Sequence, residues 1–407
     1  MRCLICTVVI MMVAQTIWGA ERSAKAKPAK PAQVDNGFAA RLYGAVAASG
    51  HENTFFSPAS IATALAMTST GARGETQRQM LEVLGYKDAN PDTLHEAFAE
   101  LIKSTNGQGG ERAFQLSMAN RLWGQKGFHF LPQFLNQTQK QYGAGLEELD
   151  FAHNLDASRQ TINAWVEKQT ADKIKDLIKP GMLGPDARLV LTNAIYFKGA
   201  WADQFKKEMT KDEAFQLTTE QKANAAMMHR NGRYRYAEDD AAQILELPYV
   251  NNEVSMVVVL PRKVDGLSEV EKAMDARWLA DLPGRLRSRQ VQVALPKFKM
   301  RAEFELSKVL GSMGMPLAFG PKADFSGISS EEKVVIDDVI HQAYVDVNEE
   351  GTEAAAATAV TMRALAVHNP EPPVVFRADH PFTFIIRDTR SGAILFMGKV
   401  MNPTEGK

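Results

Sequence analysis

The chain reads as helices first and strands later. Phe38 to Ala48 carries apolar residues at Phe38, Leu42, Tyr43 and Val46, the 3.6-residue spacing of one helix face. Ser57-Pro58 follows: a serine that can accept from the free N–H groups of a first turn, and a proline whose fixed φ suits that turn. The stretch behind it, through Ile61, Leu65 and Met67, is apolar nearly all round, which predicts a buried helix. Glu75 to Leu84 predicts a short helix closed by Gly85, and Asp156 to Lys173 is amphipathic, with Ile162, Trp165, Val166 and Thr170 on one side. Then the period changes. Arg188 to Trp201 is rich in β-branched and aromatic residues, and Val254 to Leu260 is an almost unbroken apolar run, as in a strand buried on both faces. Val291 to Met300 alternates, and Val334 to Val347, Phe382 to Ile386 and Ala393 to Val400 complete the set of strands. Helices early, strands late and no strict βαβ order predict an α+β fold with mixed or antiparallel sheets.

One segment fits neither pattern. Glu349 to Leu365 reads EEGTEAAAATAVTMRAL. Taken alone, the alanine run favours an exposed helix, because alanine is the best helix former. Small residues fill every helical face, however, so no apolar stripe would hold such a helix on a core. At period two the segment sorts itself. Thr352, Ala354, Ala356, Thr358, Val360 and Met362 make one small-to-apolar face; Glu353, Ala355, Ala357, Ala359, Thr361 and Arg363 make the other. The first set can enter a tight sheet interior without burying a charge, while Glu353 and Arg363 stay in water. The segment suits both a solvent loop and a strand.

Composition narrows function by exclusion. The chain has 407 residues, 45% hydrophobic and 23% charged, with a formal net charge of -1. That supplies a large core and gives no general attraction for nucleic acid or anionic membranes. Arg2, the mostly apolar run from Cys3 to Val13 and the small residues Gly19 and Ala20 read as a cleaved secretory signal over residues 1–20. The run is too short for a membrane span of about 20 apolar residues. Residues 21–35, rich in Lys, Ala and Pro, read as a flexible leader, so a secreted or periplasmic location and a single domain over 36–407 are expected. Both cysteines, Cys3 and Cys6, fall in the signal, which leaves the mature chain without disulfides, thiol nucleophiles or Cys-based zinc sites. There is no G-x-S-x-G elbow, Walker loop or H-E-x-x-H. Residues 107–110 (GQGG) lie among polar residues and read as a loop, and the eight histidines show no metal spacing. No metal and no cofactor are expected. Asn136-Gln137-Thr138 is a glycosylation sequon.

From Phe38 to Pro403 the sequence resembles the serpin family. The resemblance is carried by Glu349-Glu350-Gly351-Thr352-Glu353 with Ala354 to Thr358, and by Phe376-Arg377-Ala378-Asp379-His380-Pro381-Phe382. Residues 53–58 (NTFFSP), 193–201 (NAIYFKGAW), 295–298 (LPKF) and 396–400 (FMGKV) add to it, in family order. One departure is Thr383, where an apolar residue is usual, a change expected to cost a little packing. The resemblance implies three β-sheets, about nine helices and an exposed reactive-centre loop on a metastable fold. It implies a serine-protease inhibitor acting as a suicide substrate, monomeric, whose partner is a serine or a cysteine protease. The cleaved hinge (Glu350, Gly351, Thr352, Glu353, Ala354, Ala355, Ala356, Ala357 and Thr358) would insert into the main sheet. Ser57, Ser60, Asn193 and His341 match the polar shutter beneath that sheet, and Trp201 matches the tryptophan where the hinge enters. The reactive bond falls at Leu365–Ala366, with Arg363 and Met362 as alternatives. Leucine there would suit a protease with an apolar primary pocket, of chymotrypsin, elastase or subtilisin type. The alternative function is a non-inhibitory relative serving as carrier, chaperone or storage protein, but no charged, bulky or proline residue interrupts Ala354 to Val360.

Overall fold

The computed structural model describes residues 35–47, 52–87, 90–105, 114–336, 339–352 and 372–405. Nine α-helices lie among them: α1 Asn36–Ala47, α2 Pro58–Ser69, α3 Gly74–Val83, α4 Pro91–Thr105, α5 Pro132–Tyr142, α6 Leu155–Gln169, α7 Leu267–Ala273, α8 Ala276–Arg285 and α9 Ser307–Ser312. The strands up to the middle of the chain are β1 Thr54–Phe56, β2 Phe114–Gln125, β3 Leu146–Leu149, β4 Leu189–Ala200, β5 Lys211–Gln216, β6 Lys222–Glu238 and β7 Ala242–Pro248. After them come β8 Val254–Pro261, β9 Arg287–Pro296, β10 Phe298–Glu305, β11 Ile340–Val347, β12 Gly351–Thr352, β13 Val374–Arg377, β14 Phe382–Asp388 and β15 Ile394–Val400.

Six strands form one sheet in the order β10-β11-β12-β4-β2-β3. The other nine fall into two groups that the long strand β6 joins into one hydrogen-bonded network. The C-terminal half of β6 continues the order β7-β8-β14-β15-β1, while its N-terminal half carries β5 and both halves pair with β9, which carries β13. The expected third sheet is therefore a strand group sharing β6 with the second.

Several elements follow directly from the chain. Ser57 caps α2 as its sequence requires, its Oγ accepting from the Ser60 amide at 3.1 Å. All twelve residues of α2 are buried, because the helix is wedged between the two sheets. On β4 the alternation sorts the faces: Ile195 and Phe197 join the main core, while Val190 and Ala194 meet Ile162 and Val166 of α6 in a second cluster. So α6 covers one face of β2 and β4, and α2 lies under the other.

Three predicted elements differ. The Val291–Met300 alternation is two strands in two sheets, broken at Lys297, whose amide donates to Ala226 O at 2.9 Å. Pro296 has no N–H to continue the ladder. Helix α6 ends at Gln169 rather than Lys173, because Ala171 and Asp172 take φ of 50° and 60°. The strand expected from Val334 begins only at Ile340. The sequon lies on α5, where Thr138 is buried and its hydroxyl donates to Phe134 O.

Thr383 also has a partner. Tyr43 Oη donates to Glu271 Oε1 at 2.6 Å and so accepts from Thr383 Oγ1 at 2.9 Å. The buried hydroxyl is satisfied rather than a packing defect.

Candidate functional site

The six-stranded sheet has a slot. β4 and β11 pair in parallel over only four positions, His341 with Asn193 through Tyr344 with Tyr196. Beyond Tyr196 they diverge, and β12 stands between them: Thr352 opposes Val347 on one side and Gly199 on the other, both antiparallel. The slot has two polar ends, and the sequence-predicted residues divide between them.

At the lower end Asn120, Asn193 and His341 stand in line across β2, β4 and β11. The Ser57 amide donates to His341 Nε2 at 3.1 Å, so that nitrogen carries no proton. Nδ1 must then hold the ring's hydrogen and donate to Asn193 Oδ1. The Asn193 amide group in turn donates to Ser60 O at 2.8 Å, Ser60 Oγ at 2.9 Å and Asn120 Oδ1 at 2.8 Å. Ser57 Oγ donates to Leu395 O on β15 at 2.6 Å, tying the cluster to the other sheet. Ser57, Ser60, Asn193 and His341 are thus brought together, and all are fully buried.

Burial pushes the His341 imidazole down to about 3 and that of His95, packed on Tyr142, down to about 4. In the unfolded chain a histidine takes up its proton near pH 6.5. The stability these neutral rings contribute is therefore present above pH 6.5 and lost as pH falls toward the folded values. We predict that the urea midpoint falls between pH 6.5 and 4, at roughly 1.4 kcal/mol per unit for each ring. His341→Gln, which keeps a donor and an acceptor, should flatten that fall. An unaltered slope in the variant would count against the assignment.

At the upper end lies Trp201. Its ring is buried and stacks on Tyr249 at 4.6 Å, while Nε1 donates to Asn348 O at 3.0 Å. Its amide donates to Glu350 O at 3.0 Å. Glu350 is also paired with Lys207 at 2.7 Å. Gly351 has φ of +153°, and a Cβ there would lie 2.1 Å from Gly199 O, so only glycine fits. Thr352 is fully buried, its Oγ1 2.7 Å from Tyr249 Oη. That puts the first residue of the small-to-apolar face on the core side, as its alternation predicted. Burial raises the Glu349 carboxyl, but Lys297 at 2.8 Å and Thr210 at 2.8 Å outweigh it and hold the group below its ordinary value.

Glu353, Ala354, Ala355, Ala356, Ala357 and Thr358, and the bond candidates Met362, Arg363, Leu365 and Ala366, lie outside the described residues. Sequence reasoning missed Asn120, Tyr249, Asn348 and Lys297. Neither Asn120 nor Tyr249 lies in a segment that the sequence patterns predict, and only strand pairing brings them to the site.

A two-sheet α+β scaffold with a gapped sheet, a buried polar cluster at one end of the gap and a two-residue strand at the other defines a class. Residues 33–403 match the family model described as serpin (serine protease inhibitor). The chain belongs to the serpin family. It is 40% identical to human leukocyte elastase inhibitor over 360 residues, 86% of this chain and 93% of that protein. It is 39% identical to serpin B6 of Macaca fascicularis over 379 residues, 91% of this chain and 99% of that protein. The crystal structure of uncleaved ovalbumin superposes with a TM-score of 0.81 at 30% identity, covering 92% of this chain and 99% of that one.

These relatives overturn one expectation. Leukocyte elastase inhibitor and serpin B6 are intracellular serpins, so the secreted or periplasmic location read from the first twenty residues does not stand. Those residues lie outside the described part of the chain. Among the described residues, no helix is long and apolar enough to cross a membrane.

Proposed function

We propose that this chain inhibits serine proteases as a suicide substrate, through one domain running from residue 36 onward. The target's serine attacks the Leu365 carbonyl, the Ala366 amine leaves, and an acyl bond joins protease to Leu365. The freed hinge then enters the slot between β4 and β11 as a new strand, carrying the protease with it. The observation that carries this reading is β12: Gly351 and Thr352 already stand between the two strands, in antiparallel register with both. Continued down the slot, the register gives Thr358 as its neighbours Asn193 on β4 and His341 on β11, the two residues that now pair with each other. The even-numbered face would be buried and the odd-numbered face, with Glu353, would meet the other side. Leucine before the bond, and relatives named leukocyte elastase inhibitor, support a target with an apolar primary pocket.

The test is incubation with elastase, chymotrypsin, subtilisin and trypsin, read by denaturing gel and by mass spectrometry of the released C-terminal peptide. A complex that survives denaturation, and a peptide beginning at Ala366, are expected with the first three. Cleavage without complex would sink the inhibitory reading and favour the carrier or storage alternative. A peptide beginning at Ala364 would move the bait to Arg363.

A further inference from the structure

Five charged or ionisable side chains form one chain across the strand group that carries β13. His229 Nε2 on β6 meets Glu213 Oε1 on β5 at 2.9 Å, and Glu213 Oε2 accepts from Arg377 Nη2 on β13 at 2.6 Å. Arg377 Nε donates to Asp379 Oδ2 at 2.8 Å. Asp379 Oδ1 lies 3.1 Å from His380 Nδ1, and His380 Nε2 lies 2.8 Å from Pro261 O at the end of β8. Arg262, the next residue, is occupied by Glu238.

The end of this chain has a chemical consequence. A carbonyl oxygen only accepts, so His380 Nε2 must carry hydrogen; an ionised carboxylate only accepts, so Nδ1 must carry one too. Burial raises the Asp379 carboxyl, yet His380 and Arg377 outweigh it and hold the group below its ordinary value. His380, largely buried, thus makes both bonds only as the imidazolium. The neutral ring has one hydrogen, which the charge-assisted bond to the Asp379 carboxylate holds on Nδ1, so the bond from Nε2 to Pro261 O is the one lost. His229 differs: its single bond to Glu213 needs only the neutral tautomer with hydrogen on Nε2.

What the bond restrains is β13. That strand is an edge of four residues, held in parallel to β9 from Val374–Val291 to Arg377–Ala294, with Val375 58% exposed. It is also the first strand that follows the proposed bait segment in the sequence. We propose that His380 is a proton-dependent clasp that fixes the C-terminal anchor of the bait loop by tying the exit of β13 to β8. The clasp is closed while both ring nitrogens carry hydrogen and loosens when one is given up. That it governs the loop rests on the inhibitor reading; that it governs β13 does not.

The test therefore reads β13 itself. Hydrogen exchange is followed at the Val374–Arg377 amides of the full chain, corrected for intrinsic rates and referred to β14. Protection should fall about tenfold between pH 5.5 and 8, the worth of one hydrogen bond to a charged group. His380→Gln should exchange at the high-pH level throughout, and His229→Gln should keep the wild-type dependence. Flat wild-type protection, or loss of the dependence in His229→Gln instead, overturns the proposal. Should His380→Gln not fold, ¹⁵N shifts of the wild-type ring decide. Two protonated nitrogens at pH 5.5, one at pH 8, are expected; a singly protonated ring at both sinks it. Loss of protease trapping with an intact β13 response would overturn the inhibitor reading alone.

Discussion

Thr352→Arg should abolish the denaturant-stable complex and leave cleaved chain in its place. Thr352 is fully buried, flanked by Val347 and Gly199, with its hydroxyl on Tyr249. An arginine in that position has no carboxylate among these neighbours, and burying its charge costs several kcal/mol. Position 352 would therefore leave the slot in the uncut variant, and the charge would have to be buried during insertion. On the proposed mechanism, insertion races hydrolysis of the acyl bond. Each 1.4 kcal/mol added to the insertion barrier slows it about tenfold, so hydrolysis wins and the bait is consumed as ordinary substrate. Titration of a fixed amount of protease should need at least about tenfold more variant than wild type, with cleavage at the same bond. Trapping at the wild-type ratio would mean that hinge burial is not how the protease is held.

His341→Ala should weaken the lock at the other end of the slot. Removing the ring orphans the Ser57 amide and Asn193 Oδ1, both buried. Each unsatisfied group costs about 1–3 kcal/mol, and the vacated volume adds to that. The expected fall in melting temperature is on the order of 5–15 °C for a chain of this size. The β4–β11 pairing loses its tie to α2, so activity should also decay faster on storage without any protease present. A variant that melts with wild type would show the cluster to be a bystander to the fold. The effect is distinct from that of acid, which protonates the ring but leaves it in place.

Much of this was legible in the chain. The Ser57-Pro58 cap, the apolar run at Val254 and the inward-facing Thr352 each report local physics, and each is where expected. What the sequence could not carry was partnership across strands. Asn120 lies in a strand that no sequence pattern marks, and only the β2–β4 register sets it beside Asn193. Thr383 reads as a small packing loss because its partner Tyr43 is 340 residues away. The break at Lys297 is hidden because the alternation continues smoothly while the chain changes sheet.

The short β4–β11 pairing also has a consequence for timing. The register counts residues against pairs: positions 353 and 354 would stand opposite Lys198 and Phe197, where the two strands are not joined. Position 355 is the first to require a pair to break, at Tyr196–Tyr344, and position 358 the last, at Asn193–His341. On the proposed mechanism, an uncut loop would make a partial entry of two residues and withdraw at small cost. A cut one would, on that mechanism, unfasten the four β4–β11 pairs in succession, like teeth of a zip, before the way is open. The delay a protease experiences after cutting would then be set by those four positions, and not by the length of the strand laid down behind them.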